Sequence, residues 1–199
     1  MKMDIMFRFI FGLSDVSTHI WCHKNTKLFI PLQRFLVVKI TAVMMKLVFA
    51  TGNVGKLREA SEILGEGFEL VSLAQVGITE DIPETGKTLV ANSLQKAMYL
   101  YDKVGCDCFA DDTGLEVDAL GGAPGVYTAR YAGDDKDFNK NMDKVLYELE
   151  VLEGEARMAE SLGLKTKKVS RRARFKSVIT LIINGEKKIF EGTLEGVIA

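Results

Sequence analysis

The sequence predicts an α/β protein built on a central mixed, twisted sheet flanked by helices. Three observations predict it. From residue 45 onward, short apolar runs rich in strand formers alternate with segments of helical period. Two further apolar runs flank Asn184-Gly185, the strongest hairpin signal in the chain. The 199 residues, 47% hydrophobic and 27% charged, have a globular balance and a length that corresponds to about one domain.

The first 44 residues differ in kind. They carry Lys2, Arg8, Lys24, Lys27, Arg34 and Lys39 against Asp4 and Asp15, although the whole chain has a net charge of −1. They show no sustained helical or strand period. Residues 1–44 are therefore expected to be an extension, and 45–199 the working domain, opening at a second possible start, Met45. His19, Cys22 and His23 are too crowded for a standard metal geometry.

Met45–Ala50 reads as the first strand, followed by the turn signal Thr51-Gly52-Asn53. Leu57, Ala60, Ser61 and Leu64 then share one face of a helix over Val54–Leu64, stopped by Gly65 and Gly67. Phe68–Leu73 is a second strand, and 74–86 a loop with Gly77, Pro83 and Gly86. Val90, Leu94, Ala97, Met98 and Tyr101 give a helix over about Lys87–Val104. Cys106–Ala110 is a buried strand ending at Asp111-Asp112, and Leu115–Leu120 alternates like a separate strand. Gly121–Gly125 is a loop, and Phe138, Met142, Val145, Leu149 and Leu152 mark another helix. Residues 153–170 are polar and expected to be irregular. Phe175–Ile183 and Glu186–Glu191 form the hairpin, and Thr193–Ile198 still reads as strand where the chain stops.

Several classes are excluded or disfavoured. The near-neutral charge gives no whole-molecule pull toward nucleic acid or membrane. Seven basic residues between Lys165 and Lys176 read as a solvated loop, without interleaved aromatics before Phe175. No apolar run reaches the roughly 18 residues of a membrane span. Three cysteines without a C-x-x-C pair suit a reducing compartment, so a soluble cytoplasmic protein is expected.

Four stretches can carry chemistry. Thr51-Gly52-Asn53-Val54-Gly55-Lys56 runs from a strand into a helix, so unpaired N–H groups at the positive end of the helix dipole would suit phosphate, with Lys56 adding a full charge. The spacing is too short for a Walker A loop, and Leu57 replaces its Ser/Thr. Asp111-Asp112 places two carboxylates at an apolar strand end, where ligands of open α/β sheets bind. Alternation sends one to each side of the strand. Glu84, in the loop before a helix, could cap it or join Asp112 around Mg²⁺; Asn92 and Lys96, four apart, share a face of that helix. The glycine-rich 120–131 stretch permits close backbone approach, and its Arg130 offers a fork of donors for phosphate.

Taken together, residues 45–199 resemble the inosine triphosphate pyrophosphatase family, house-cleaning enzymes that remove deaminated purine nucleoside triphosphates. The matching stretches are Thr51–Lys56, Glu84-Thr-Gly86, Asn92 with Lys96-Ala97, Ala110–Leu115, Leu120–Tyr131, and Arg172–Phe175 followed by Val178-Ile179. The resemblance implies two lobes around a nucleotide cleft and a homodimer. It implies Mg²⁺-dependent hydrolysis of inosine and xanthosine triphosphates, deoxy forms included, to monophosphate and pyrophosphate. Carried over, Thr51, Gly52, Asn53, Val54, Gly55 and Lys56 hold the triphosphate. Asp112 is proton acceptor and metal ligand, Glu84 a second metal-site carboxylate, Thr113 a substrate contact, and Lys96 and Arg130 further phosphate contacts.

This sequence departs from the family at Pro83, where many relatives have a glutamate, and at Ala91, where many have another. The family's Gly-Phe-Gly-Tyr-Asp-Pro and Ser-His-Arg segments do not occur. The second lobe is therefore expected to be incomplete and turnover by this chain weak or absent. Two alternatives stay open: an inactive fragment with residual nucleotide binding, and an aspartyl-phosphate phosphatase, for which the required Asp-x-Asp is missing at 111–113.

Overall fold

A computed structural model describes residues 45–199, and the expected extension over 1–44 lies outside the described residues. The order is β1 (Met45–Phe49), α1 (Val54–Leu64), β2 (Phe68–Val71), α2 (Leu89–Val104), β3 (Cys108–Val117), β4 (Pro124–Gly125), α3 (Phe138–Ser161), β5 (Arg172–Ile183) and β6 (Glu186–Val197). The strands form one sheet in the order β2-β1-β3-β5-β6, with β4 beside β3. β1 runs parallel to β2 and β3, joined through the crossover helices α1 and α2, whereas β3, β5 and β6 pair antiparallel. The mixed, helix-flanked sheet matches the expected architecture.

Alternation along the strands gives the sheet two apolar faces. Leu47, Phe49, Phe109, Ile179 and Leu181 meet Ala60 and Leu64 of α1 on one, with the rings of Phe49 and Phe109 stacked 4.2 Å apart. Val48, Ala50, Cys108, Ala110 and Ile182 meet Ala97 and Leu100 of α2 on the other. At the far end of β3, Val117 and Ala173 pack against Val145 and Leu149 of α3. Among the described residues, no helix is long and apolar enough to cross a membrane.

Three expectations are corrected. The strands expected at 106–110 and 115–120 are one ten-residue strand, β3, with Asp118–Leu120 turning into a short 3₁₀ helix. The reason is non-local: β5 supplies a partner at every position, from Cys108↔Ile182 to Val117↔Ala173, so Asp111-Asp112-Thr113-Gly114 needs no turn. The strand end that matters is that of β1, whose pairing with β3 stops at Phe49↔Phe109. Both aspartates lie just beyond it. Second, α3 continues to Ser161 through Glu155, Ala156, Arg157 and Met158, good helix formers that need no apolar stripe. Third, both hairpin strands are twelve residues long, and Thr193–Val197 belongs to β6.

Candidate active site

The turn between β1 and α1 is built by Asn53. Its extended backbone caps the helix, and its side-chain oxygen accepts the N–H groups of Gly55 (2.9 Å) and Lys56 (3.2 Å). The Thr51 hydroxyl accepts the Asn53 N–H at 3.1 Å. The expectation of unpaired N–H groups here is thus corrected for Asn53, Gly55 and Lys56: local side chains take them. What the turn still offers a phosphate is the positive end of α1 and nearby side chains. Lys56 reaches back to β3, where its ammonium lies 2.5 Å from Asp111 Oδ2; the Asp111 side chain is only 2% exposed.

Asp112 points to the opposite face, toward α2. Its Oδ1 accepts the Thr113 N–H at 3.1 Å and lies 3.9 Å from Lys96 Nζ, whereas Oδ2 is buried without a hydrogen-bond partner. Burial pushes the Asp112 carboxyl above the ordinary carboxylate range; the Lys96 charge and the Asn92 amide oppose this, and Glu84 and Asp111 add to it. Lys96 donates to Glu84 Oε1 at 2.7 Å, and Arg130 lies 3.9 Å from Glu84 Oε2. Burial alone would raise Glu84, but Lys96, followed by Arg130 and Lys136, outweighs it and holds this carboxyl below its ordinary value.

α1 and α2 lie on opposite faces of the sheet, yet their site residues converge beyond the carboxyl end of β1. A cavity of about 880 Å³ there is lined by Thr51, Gly52, Asn53, Val54 and Lys56 from the first turn, with Glu84, Lys96, Asp111 and Arg130. Gly55, Asp112 and Thr113 are not in its wall. Asp112 adjoins it through Lys96, and Thr113 turns its hydroxyl to Ser177, 2.8 Å away. Sequence reasoning missed Lys136, a lining residue in a left-handed turn (φ 53°) just before α3; an isolated lysine in an acidic loop carried no signal. It also missed Asn92 as a partner of the Glu84 loop, where Gly86 donates its N–H to Asn92 Oδ1 at 2.7 Å.

The donor set suits a hard cation held partly by a ligand. Magnesium commonly takes one or two carboxylates and completes its shell with phosphate oxygens and water. Asp112 offers a buried, unpartnered oxygen, and Glu84 a second carboxylate on the other side of Lys96. Among the described residues no group of three or more His, Cys, Asp or Glu side chains forms an all-protein metal cage.

Residues 47–199 match the model of the Ham1 family. The chain belongs to the Ham1 family. Its Ham1 relatives include a protein of Flavobacterium psychrophilum named dITP/XTP pyrophosphatase, 45% identical over 152 residues, which cover 76% of this chain and 72% of the relative. A Bacillus subtilis protein of the same name is 43% identical over 159 residues, 79% of this chain and 73% of the relative. Among solved structures, a Ham1 protein from Coxiella burnetii superposes with a TM-score of 0.66 at 32% identity, covering 78% of this chain and 74% of the other. A nucleoside-triphosphatase, dITP/XTP pyrophosphatase, from Mycobacterium abscessus gives 0.62 at 37% identity, covering 78% and 75%.

Proposed function

We propose that this Ham1 chain hydrolyses deaminated purine nucleoside triphosphates, the inosine and xanthosine forms with their deoxy counterparts, to the monophosphate and pyrophosphate. The observation that carries the reading is the convergence of the 51–56 turn, Glu84, Lys96 and Arg130 on one cavity with Asp112 beside it. The names of the relatives support the substrate class.

The chemical demand is to relieve charge repulsion around the attacked phosphorus. Lys56, Lys96, Arg130 and Lys136 bring four cations to a cavity whose wall also carries Glu80, Asp81, Glu84 and Asp111, and the start of α1 adds its dipole. Lys56 and Lys96 are already oriented by carboxylates, so little side-chain freedom is lost when a phosphate tail takes them up. Asp112 accepts a proton from the attacking water at Oδ2, the oxygen that no protein group engages. Its burial raises its proton affinity toward that of a working base. Glu84 and Asp112 would hold Mg²⁺, which supplies neutralisation of phosphate oxygens and orientation of water when bound.

The reading includes a homodimer and a cytoplasmic location, beside the nucleotide pool. The inactive-fragment alternative is not favoured, given how closely the chain follows relatives named as enzymes. An aspartyl-phosphate mechanism fits poorly with an Asp111 that is buried and bound to Lys56. The test is pyrophosphate release by the full chain with Mg²⁺ from inosine, xanthosine and deoxyinosine triphosphates, against ATP and GTP. A marked preference for the deaminated bases is expected. Equal turnover of ATP, or release of orthophosphate with a trapped phospho-aspartate, would overturn the reading. Light scattering reads the dimer.

A further inference from the structure

The loop that carries Glu84 has no regular secondary structure, yet three consecutive residues of it are each held by α2. Glu84 Oε1 accepts from Lys96 Nζ at 2.7 Å. The Thr85 N–H donates to Gln95 Oε1 at 3.0 Å, and Gln95 Nε2 donates back to the Thr85 hydroxyl at 3.0 Å. The Gly86 N–H donates to Asn92 Oδ1 at 2.7 Å. The partners run antiparallel along one side of the helix, so the loop is clasped to it residue by residue.

Asn92 is the inner end of this clasp. The residue is 1% exposed, and a buried amide oxygen must find a donor. Its helix face also presents Lys96, 3.9 Å from Asp112 Oδ1, and its own oxygen is committed to Gly86. The same contact explains the glycine. A Cβ on Gly86 would lie 2.7 Å from Asn92 Oδ1, 2.7 Å from Ala91 Cβ and 3.0 Å from the Asn92 backbone nitrogen. Any larger residue would lift the loop off the helix.

We propose that Asn92 is a positioning residue that fixes the distance between Glu84 and Asp112 by tying the Glu84 loop to α2. The inference rests on the pyrophosphatase reading, because it assigns those two carboxylates to one reaction. Asn92 itself touches no reacting atom. Groups misplaced by about an ångström lose rate far more than affinity, by factors on the order of ten to a hundred.

The experiment is a cycle of Asn92→Ala, Gly86→Ala and the double variant, read two ways. In the free full chain, amide hydrogen exchange of Gly86 and Thr85 is followed by NMR. With inosine triphosphate and Mg²⁺, kcat and KM are measured from pyrophosphate release. Each single variant is expected to speed exchange at both amides at least about tenfold and to lower kcat about ten- to a hundred-fold with KM within about threefold, and the double variant to be no worse than either single. A helix-packing role for Asn92 would instead give additive losses and leave exchange at Gly86 unchanged in Asn92→Ala. Additivity, or exchange at Gly86 unchanged by Asn92→Ala, overturns the proposal. Should Asn92→Ala fail to fold, Gly86→Ala and Gln95→Ala strain the same clasp from the loop side and from its middle, and wild-type kcat in both sinks it. A wild-type chain that releases no pyrophosphate refutes the pyrophosphatase reading, and with it the joint role of the two carboxylates.

Discussion

Asp112→Asn is expected to make the protein more stable and nearly inactive at once. The Asp112 side chain is 15% exposed, one of its oxygens is unpartnered, and its nearest cation is 3.9 Å away. Leaving a buried charged atom unpaired costs more than the roughly 1–3 kcal/mol of a neutral one, and Asn keeps the unpaired atom but not the charge. Lys96 recovers part of that, so removing the charge should return about 1 kcal/mol, or a Tm higher by about 2–4 °C for a domain of this size. The pH dependence has a definite sign. Burial raises the Asp112 pKa above its ordinary 3.8, so the folded state holds the proton more tightly than the unfolded state. The penalty is absent at pH below 3.8, grows as pH rises through the window up to the raised value, and is constant above it. Thermal melts of both proteins with chelator, from about pH 4 to 8, should therefore converge at the acid end and separate at neutrality. Turnover should fall by about 10² to 10⁴, the range for losing a general base. A variant that melts at or below wild type at neutral pH, or that keeps its turnover, would refute the assignment of Asp112 as a strained, working base.

Lys56→Met should cost about 2–4 kcal/mol in guanidinium unfolding, because it strips a 2%-exposed Asp111 of its cation. Asp111→Asn leaves a third-exposed lysine that can turn to solvent and should cost about 1 kcal/mol or less; equal costs would contradict the asymmetric burial. Gly114→Ala should lose about 2–3 kcal/mol in the same assay, since its Cβ would lie 2.4 Å from the Gly125 carbonyl oxygen, and an unchanged midpoint would show that β4 yields. Glu84 sits below its ordinary 4.5, so its contribution to stability is present above pH 4.5 and fades as pH falls through the depressed value. Glu84→Gln should flatten the acid limb of the stability curve slightly, the side chain being 35% exposed; an identical limb would argue against the Lys96 pairing.

The local elements were plainly written in the chain. Thr51-Gly52-Asn53 marked the β1–α1 turn, and the α1 boundaries, Val54 and Leu64, follow from a cap, a stripe and two glycines. The pairing of Asn92 with Lys96 on one helical face, and the opposite directions of Asp111 and Asp112, follow from periodicity alone. What stayed hidden was set by distant partners. Gly114 and the paired aspartates read as punctuation because those residues usually end strands, and only the ladder with β5 keeps β3 running through them. The Asn53 side chain competes for the amides that the motif seemed to offer a ligand. Lys136 enters the cavity through a turn whose direction no local pattern encodes.

Neighbouring carboxylates that face opposite ways make the chemistry hostage to strand alignment. Moving β3 by a single step against β5 would hand Asp111 to α2 and Asp112 to α1, exchanging base and counter-ion. The ten-pair ladder from Cys108↔Ile182 to Val117↔Ala173 holds that alignment, and at the tip of the β5–β6 hairpin the Asn184 N–H adds a tie to Asp107 Oδ1 at 2.8 Å, one residue ahead of β3. A one-residue slip in that ladder would thus silence the enzyme while leaving every residue of its cavity unchanged in the sequence.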